Sequence, residues 1–193
     1  MAEFISKNVA LRKLDIEPEP LLQRDYELVK GALKKWRDVL ICKLLRATGL
    51  RVSEVLALRP ENFREEGIYF VLYVRRGKKP SKNKFERVYL PPQLGVELRD
   101  YIKGNRVLAG ERIFPITDRQ VRNIFYRAGL EAIGRRVHPH EFRGLYIKTL
   151  LDGGLPPAAA AKMVGHASSK TTERWYYELT REQRWEIQRR IPV

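Results

Sequence analysis

Two short segments that read as strands, Ile68–Val74 and Phe85–Leu90, interrupt a chain whose other apolar residues recur mainly at helical spacing. The first, Ile-Tyr-Phe-Val-Leu-Tyr-Val, is rich in β-branched and aromatic side chains, which fit a pleated, half-buried surface. Between the runs lies Arg75-Arg76-Gly77-Lys78-Lys79-Pro80-Ser81-Lys82-Asn83-Lys84, which combines turn formers with a dense set of cations and reads as a basic hairpin loop. Pro91-Pro92 ends the second strand, because proline cannot donate to a ladder.

The flanks are helical. From Leu21 to about Leu58, positions such as Leu33, Trp36, Leu40 and Leu44 recur at three or four residues, with interruptions expected near Gly31 and Gly49. Arg59-Pro60 ends that run through the steric restriction on the residue before proline. After the strands, helices are expected near 93–103, 118–133, 140–152, 156–164, 169–179 and 181–190. The predicted fold class is mainly α with a small antiparallel β-sheet. Residues 1–20, ending in Glu17-Pro18-Glu19-Pro20, read as an arm or linker, and 21–193 as one domain with a short tail.

Lys and Arg number 38 against 23 Asp and Glu, a formal charge of +15. A field of that sign selects a polyanion, nucleic acid first; a solvated charged surface of the heat-adapted kind is the competing account. The amino-terminal stretch lacks the apolar core of a secretory signal, and no apolar run reaches the length of a membrane span, so an intracellular, cytoplasmic protein is expected, nucleoid-associated when acting on DNA. Cys42 is the single cysteine and sits among Val39, Leu40 and Ile41, which excludes an intramolecular disulfide and reads as a buried structural thiol.

Against that background, five short contexts stand out in chain order. Arg51 lies in Thr48-Gly49-Leu50-Arg51-Val52-Ser53-Glu54, where a glycine can break a helix and aim a nearby side chain, with Glu54 as a supporting carboxylate. His140 and Arg143 are three residues apart, one face of a helix. His166 follows Gly165 and precedes Thr171-Thr172, and Tyr176-Tyr177 come next. His138, before Pro139, reads as structural or DNA-contacting. Breaking a phosphodiester requires an in-line nucleophile, cations on the non-bridging oxygens and a proton for the leaving oxygen. Guanidinium forks, imidazoles and a phenol supply all three without a metal.

This ordered set resembles the active site of the tyrosine recombinase (phage integrase and Xer) family, and the resemblance runs from Leu21 to about Arg184. It implies the DNA breaking-rejoining fold and site-specific strand exchange between DNA duplexes. A tyrosine attacks the scissile phosphate to give a 3′-phosphotyrosyl link and a free 5′-hydroxyl, and a second strand's hydroxyl reverses the step. Neither ATP nor metal is required, so no cofactor is expected. Arg51 and Arg143 match the phosphate-clamping arginines, His140 the His-x-x-Arg position and His166 the Gly-His position. Many relatives carry Gly-Lys-Gly-x-Lys-Glu-Arg with the active lysine first. Here the loop offers Lys78, Lys79, Lys82 and Lys84, and counting back four residues from Glu86-Arg87 selects Lys82. Relatives commonly place the tyrosine nine residues after this histidine, where this chain has Trp175. Tyr176 needs the smaller adjustment of the helix and is the expected nucleophile, with Tyr177 the alternative.

The implied partners are double-stranded DNA and further copies of the chain on it, without a membrane. Relatives usually carry an amino-terminal helical domain, whereas about twenty residues precede the pattern here, so a natural short form or an excised catalytic domain is expected. Two other readings stay open: a non-catalytic basic DNA-binding protein on the same scaffold, and type IB topoisomerase-like relaxation.

Overall fold

The computed structural model describes residues 20–75 and 85–165. Helix α1 (Gln23–Ala32) is followed by α2 (Trp36–Thr48) and the short α3 (Val52–Leu56). Strands β1 (Phe63–Glu66), β2 (Tyr69–Val74) and β3 (Glu86–Leu90) come next, and then α4 (Pro92–Gly104), α5 (Asp118–Ile133), α6 (Pro139–Asp152) and α7 (Pro157–Val164). The expected breaks near Gly31 and Gly49 are the ends of α1 and α2. The helices expected at 169–179 and 181–190 lie outside the described residues.

The sheet has three strands in the order β1-β2-β3, both pairs antiparallel. β1 escapes a hydropathy reading because Phe63-Arg64-Glu65-Glu66 has one apolar residue in four. Its partner recruits it: Phe63 sits opposite Leu72 and Glu66 opposite Tyr69. In β2 and β3 the pleat sorts the side chains, and Leu72, Val74, Val88 and Leu90 enter the core. Tyr69 and Tyr89 stand exposed and meet edge-to-face at 5.8 Å.

Helix α2 is the centre of the body. Leu40, Ile41, Cys42, Leu44 and Leu45 are all 1 % exposed or less, so it is apolar over most of its circumference. It packs on α6 and α4, while α1 packs on α5. Burial pushes the Cys42 thiol well above its ordinary range, in keeping with a structural role. A second, smaller cluster of Ile147, Leu151, Ala160 and Val164 joins α7 to α6. Helix α5 opens on a capping box: the Gln120 N–H donates to Thr117 Oγ1 at 3.3 Å and the Thr117 N–H donates to Gln120 Oε1 at 3.0 Å. Among the described residues no helix is long and apolar enough to cross a membrane.

Gly95 sets the approach of α4 to the sheet. A Cβ there would stand 2.1 Å from Phe70 Cγ, and the Phe70 ring is backed by Phe63, stacked at 5.9 Å with planes 4° apart. The ring therefore cannot withdraw without displacing β1. Gly95→Ala is expected to lower the unfolding free energy by about 1–3 kcal/mol through overpacking. A urea midpoint equal to that of the parent would contradict this packing.

Candidate active site

Two elements far apart in sequence are fastened together by one buried side chain. Helix α2 ends at Gly49 in the left-handed conformation (φ 61°), its N–H closing onto Leu45 O. A Cβ at that position would lie 2.4 Å from Tyr146 Cδ1 of α6, so both the turn and the close approach call for glycine. The chain then reverses and starts α3 with Arg51 at its N-cap. Arg143, on α6, is 1 % exposed and donates from Nη1 to Gly49 O. Its Nη2 donates to Val164 O at 2.6 Å, at the end of α7. One guanidinium thus meets the carbonyl ends of two helices, where their dipoles favour a cation.

Arg51 is held by the buried carboxylate of Glu54. Its backbone N–H donates to Glu54 Oε2 at 2.9 Å and its Nη1 to Oε1 at 2.8 Å. The support expected from Glu54 is therefore both an ion pair and a backbone contact. The Arg51 side chain remains 36 % exposed, and among the described residues its other guanidinium nitrogens make no hydrogen bond.

His140 opens the first turn of α6 and is exposed. Its pKa lies below the ordinary imidazole value, first because the protein partly desolvates it, then because the Arg143 and Arg51 charges oppose a third cation; Glu141 acts in the opposite direction. Because the residue reaches solvent by surface area, screening tempers these effects. The neutral ring is favoured, so its contribution to stability is complete above the ordinary imidazole range and fades as pH falls through the lowered value.

Arg51, His140 and Arg143 all line one cleft of about 310 Å³, alongside Leu50, Val52 and Ser53. The cleft is also lined by residues of α5 that spacing did not single out. Asp118 and Arg122 of α5 form a two-point ion pair (Nε–Oδ1 2.9 Å, Nη2–Oδ2 2.6 Å), and Tyr126 lies one turn further along. His138, at the N-cap of α6, lines the same cleft, with Nδ1 2.8 Å from Tyr126 Oη. The residues that line the cleft carry three guanidiniums against one carboxylate, already paired, a balance that favours an anion. Lys82, His166, Tyr176 and Tyr177 lie outside the described residues. Nothing in the local sequence marks Tyr126, because its place depends on α5 reaching the start of α6.

The model of the phage integrase family matches residues 21–183. The chain belongs to that family. Among its relatives are a tyrosine recombinase of Pseudothermotoga lettingae, 29% identical over 174 residues (86% of this chain, 58% of the relative), and Tyrosine recombinase XerA of Thermococcus kodakarensis, 32% identical over 146 residues (71% and 49%). The chain spans about half the length of the curated relatives it matches. The crystal structure of XerA recombinase superposes with a TM-score of 0.70 at 21% identity, covering 91% of this chain and 65% of that one. XerH bound to a palindromic difH substrate, a post-cleavage complex, gives 0.72 at 19% identity, covering 89% and 52%. These likenesses establish the fold: the helical body with its three-stranded sheet is that of tyrosine recombinase catalytic domains. The expected fold class holds, with one strand more than the sequence indicated.

Two expectations for the integrase cleft follow. By proton NMR, His140 should titrate below the ordinary imidazole range in the parent; Arg51→Gln should move it upward, and Arg51→Lys, which keeps the charge, should move it much less. Arg143→Ala leaves two buried carbonyls without their guanidinium and is expected to cost roughly 2–5 kcal/mol of stability. Chemical denaturation checks this, and an unchanged midpoint would show that the buried tie contributes nothing.

Proposed function

We propose that the chain is a site-specific DNA recombinase that cuts and rejoins strands through a 3′-phosphotyrosyl intermediate. The observation that carries this reading is the convergence of Arg51, His140 and Arg143, from segments about ninety residues apart, on one anion-accepting cleft. In this reading residues 21–193 form the catalytic domain and 1–20 an arm or linker.

The chemistry runs as follows. The scissile phosphate enters the cleft, where Arg51 donates to a non-bridging oxygen through the guanidinium edge that Glu54 does not use. Arg143, deeper in the wall, holds positive charge behind the phosphorus without moving, a fixed group that needs no reorganisation as charge develops. His140, whose proton affinity is lowered by partial desolvation and then by its cationic neighbours, serves as acid and base on the attacking or leaving oxygen. Tyr176 loses its phenolic proton and bonds to phosphorus. The P–O5′ bond breaks, and Lys82 supplies the proton that makes the 5′-hydroxyl. His166 donates to a phosphate oxygen. In the reverse step a 5′-hydroxyl from another duplex displaces the tyrosine, so bond energy is conserved without ATP or metal.

The partner is double-stranded DNA, with two or more copies of the chain assembled on it, inside the cell and on the nucleoid. Solved relatives of this fold include XerH on its difH substrate and a lambda integrase dimer bound to a core site. A specific observation favours the non-catalytic alternative: the position nine residues after His166 is Trp175. The test is covalent trapping on nicked suicide DNA. The parent should form an adduct that persists in chelator and disappears in Tyr176→Phe; loss in Tyr177→Phe alone would move the nucleophile by one residue. Arg51→Ala should slow cleavage by roughly 100-fold or more, the scale for removing one preorganised donor from a reacting oxyanion. Tight DNA binding with no adduct would replace the enzyme by a binding protein.

A further inference from the structure

The cleft that Arg51 lines also carries a pair of side chains, Tyr126 and His138, that the reaction above does not use. His138 occupies the N-cap of α6, a place where a short oxygen-bearing side chain would ordinarily satisfy the first turn. The imidazole makes no such cap. The opening of α6 is satisfied from the other direction: the His138 N–H donates to Glu141 Oε1 at 2.7 Å, and Glu141 Oε2 accepts from Arg135 Nη1 at 2.7 Å. The ring is therefore released from capping and turns to Tyr126. Nδ1 lies 2.8 Å from the phenol oxygen and the rings meet edge-to-face at 4.6 Å.

That contact decides the chemistry of the other ring nitrogen. A phenol is a better donor than a neutral imidazole N–H, so the Tyr126 hydroxyl donates to Nδ1 and the neutral ring carries its hydrogen on Nε2. If the ring is protonated, Tyr126 accepts instead and Nε2 still bears a hydrogen. Among the described residues Nε2 makes no hydrogen bond, and both side chains line the cleft that holds Arg51, His140 and Arg143. A fixed N–H donor in an anion-accepting cleft has one evident use.

We propose that His138, oriented by Tyr126, donates a hydrogen bond from Nε2 to a non-bridging oxygen of the DNA backbone bound in the cleft, and so adds a phosphate-positioning residue to the set. This rests on the recombinase reading of the cleft. In that arrangement Tyr126 is a positioning residue that never touches DNA. Because the donor's hydrogen is present in either charge state of the ring, the contact survives where a purely ionic one would depend on pH.

The experiment uses the full chain and a duplex carrying its cleavage site, with neutral methylphosphonate replacing one backbone phosphate at a time around the scissile position. Binding is measured for the parent, His138→Ala, His138→Gln, His138→Asn and Tyr126→Phe, with melting temperatures to confirm folding. The glutamine amide nitrogen falls near the position of Nε2, whereas that of asparagine falls near Nδ1. On ordinary DNA, His138→Ala and His138→Asn should bind about tenfold more weakly and His138→Gln within about twofold of the parent, the scale of one hydrogen bond to a charged acceptor. Tyr126→Phe should weaken binding in the parent and add nothing to His138→Ala. At one methylphosphonate position the His138→Ala penalty should vanish, which identifies the phosphate contacted. A penalty of the same size at every position, or glutamine as weak as alanine, would make His138 a merely structural residue and overturn the proposal. A folded parent that fails to bind any duplex would instead sink the recombinase reading, and this contact with it.

Discussion

The guanidinium of Arg143 is the interaction on which the site depends. It stands where α2 ends, α6 begins and α7 closes, and it is the residue common to Gly49 O and Val164 O. A buried arginine has few tolerable environments, because its charge must be met by acceptors on nearly every side. Two helix carbonyl ends meet it, Gly49 O and Val164 O. Carbonyl dipoles hold the cation without cancelling its formal charge, so its field still reaches the cleft that it lines.

The cations then act on one another. Arg51, Arg122 and Arg143 line the cleft together with the single carboxylate of Asp118, so the balance of its lining is positive before any ligand arrives. His140 records that balance in part: desolvation lowers its proton affinity first, and the two guanidiniums lower it further. An entering phosphate would relieve the repulsion and raise the proton affinity of the same ring. The empty cleft thereby favours the base form of His140 and the occupied cleft the acid form, an ordering that acid–base work on a bound phosphodiester can use.

Much of this was legible in the chain. Helix limits followed from apolar spacing and from Gly31, Gly49 and the prolines, because those residues act locally. Strands β2 and β3 announced themselves through β-branched and aromatic content. β1 did not, since Arg64, Glu65 and Glu66 are polar and only the edge of β2 makes them a strand. In the site, His140 and Arg143 could be placed on one helix by their spacing, yet spacing could not show that one would be exposed and the other 1 % exposed. That difference comes from α2 and α7 covering Arg143. The Tyr126–His138 contact was invisible for the same reason: twelve residues separate the two, and the loop between α5 and α6 brings them face to face.

The apolar interior is divided, and the division has a consequence for how the molecule breathes. The main cluster spans α1 through the start of α6, whereas Ile147, Leu151, Ala160 and Val164 form a separate group between α6 and α7. Apolar groups that share no packing surface need not melt together. Among the described residues, opening α7 and the last turns of α6 as a minor unit disrupts the small cluster, the Val164 tether and the Arg46–Thr149 hydrogen bond, with most of the main core intact. Arg143 lies on the seam between the two units, so a local opening too small to register as unfolding would still change the company its charge keeps.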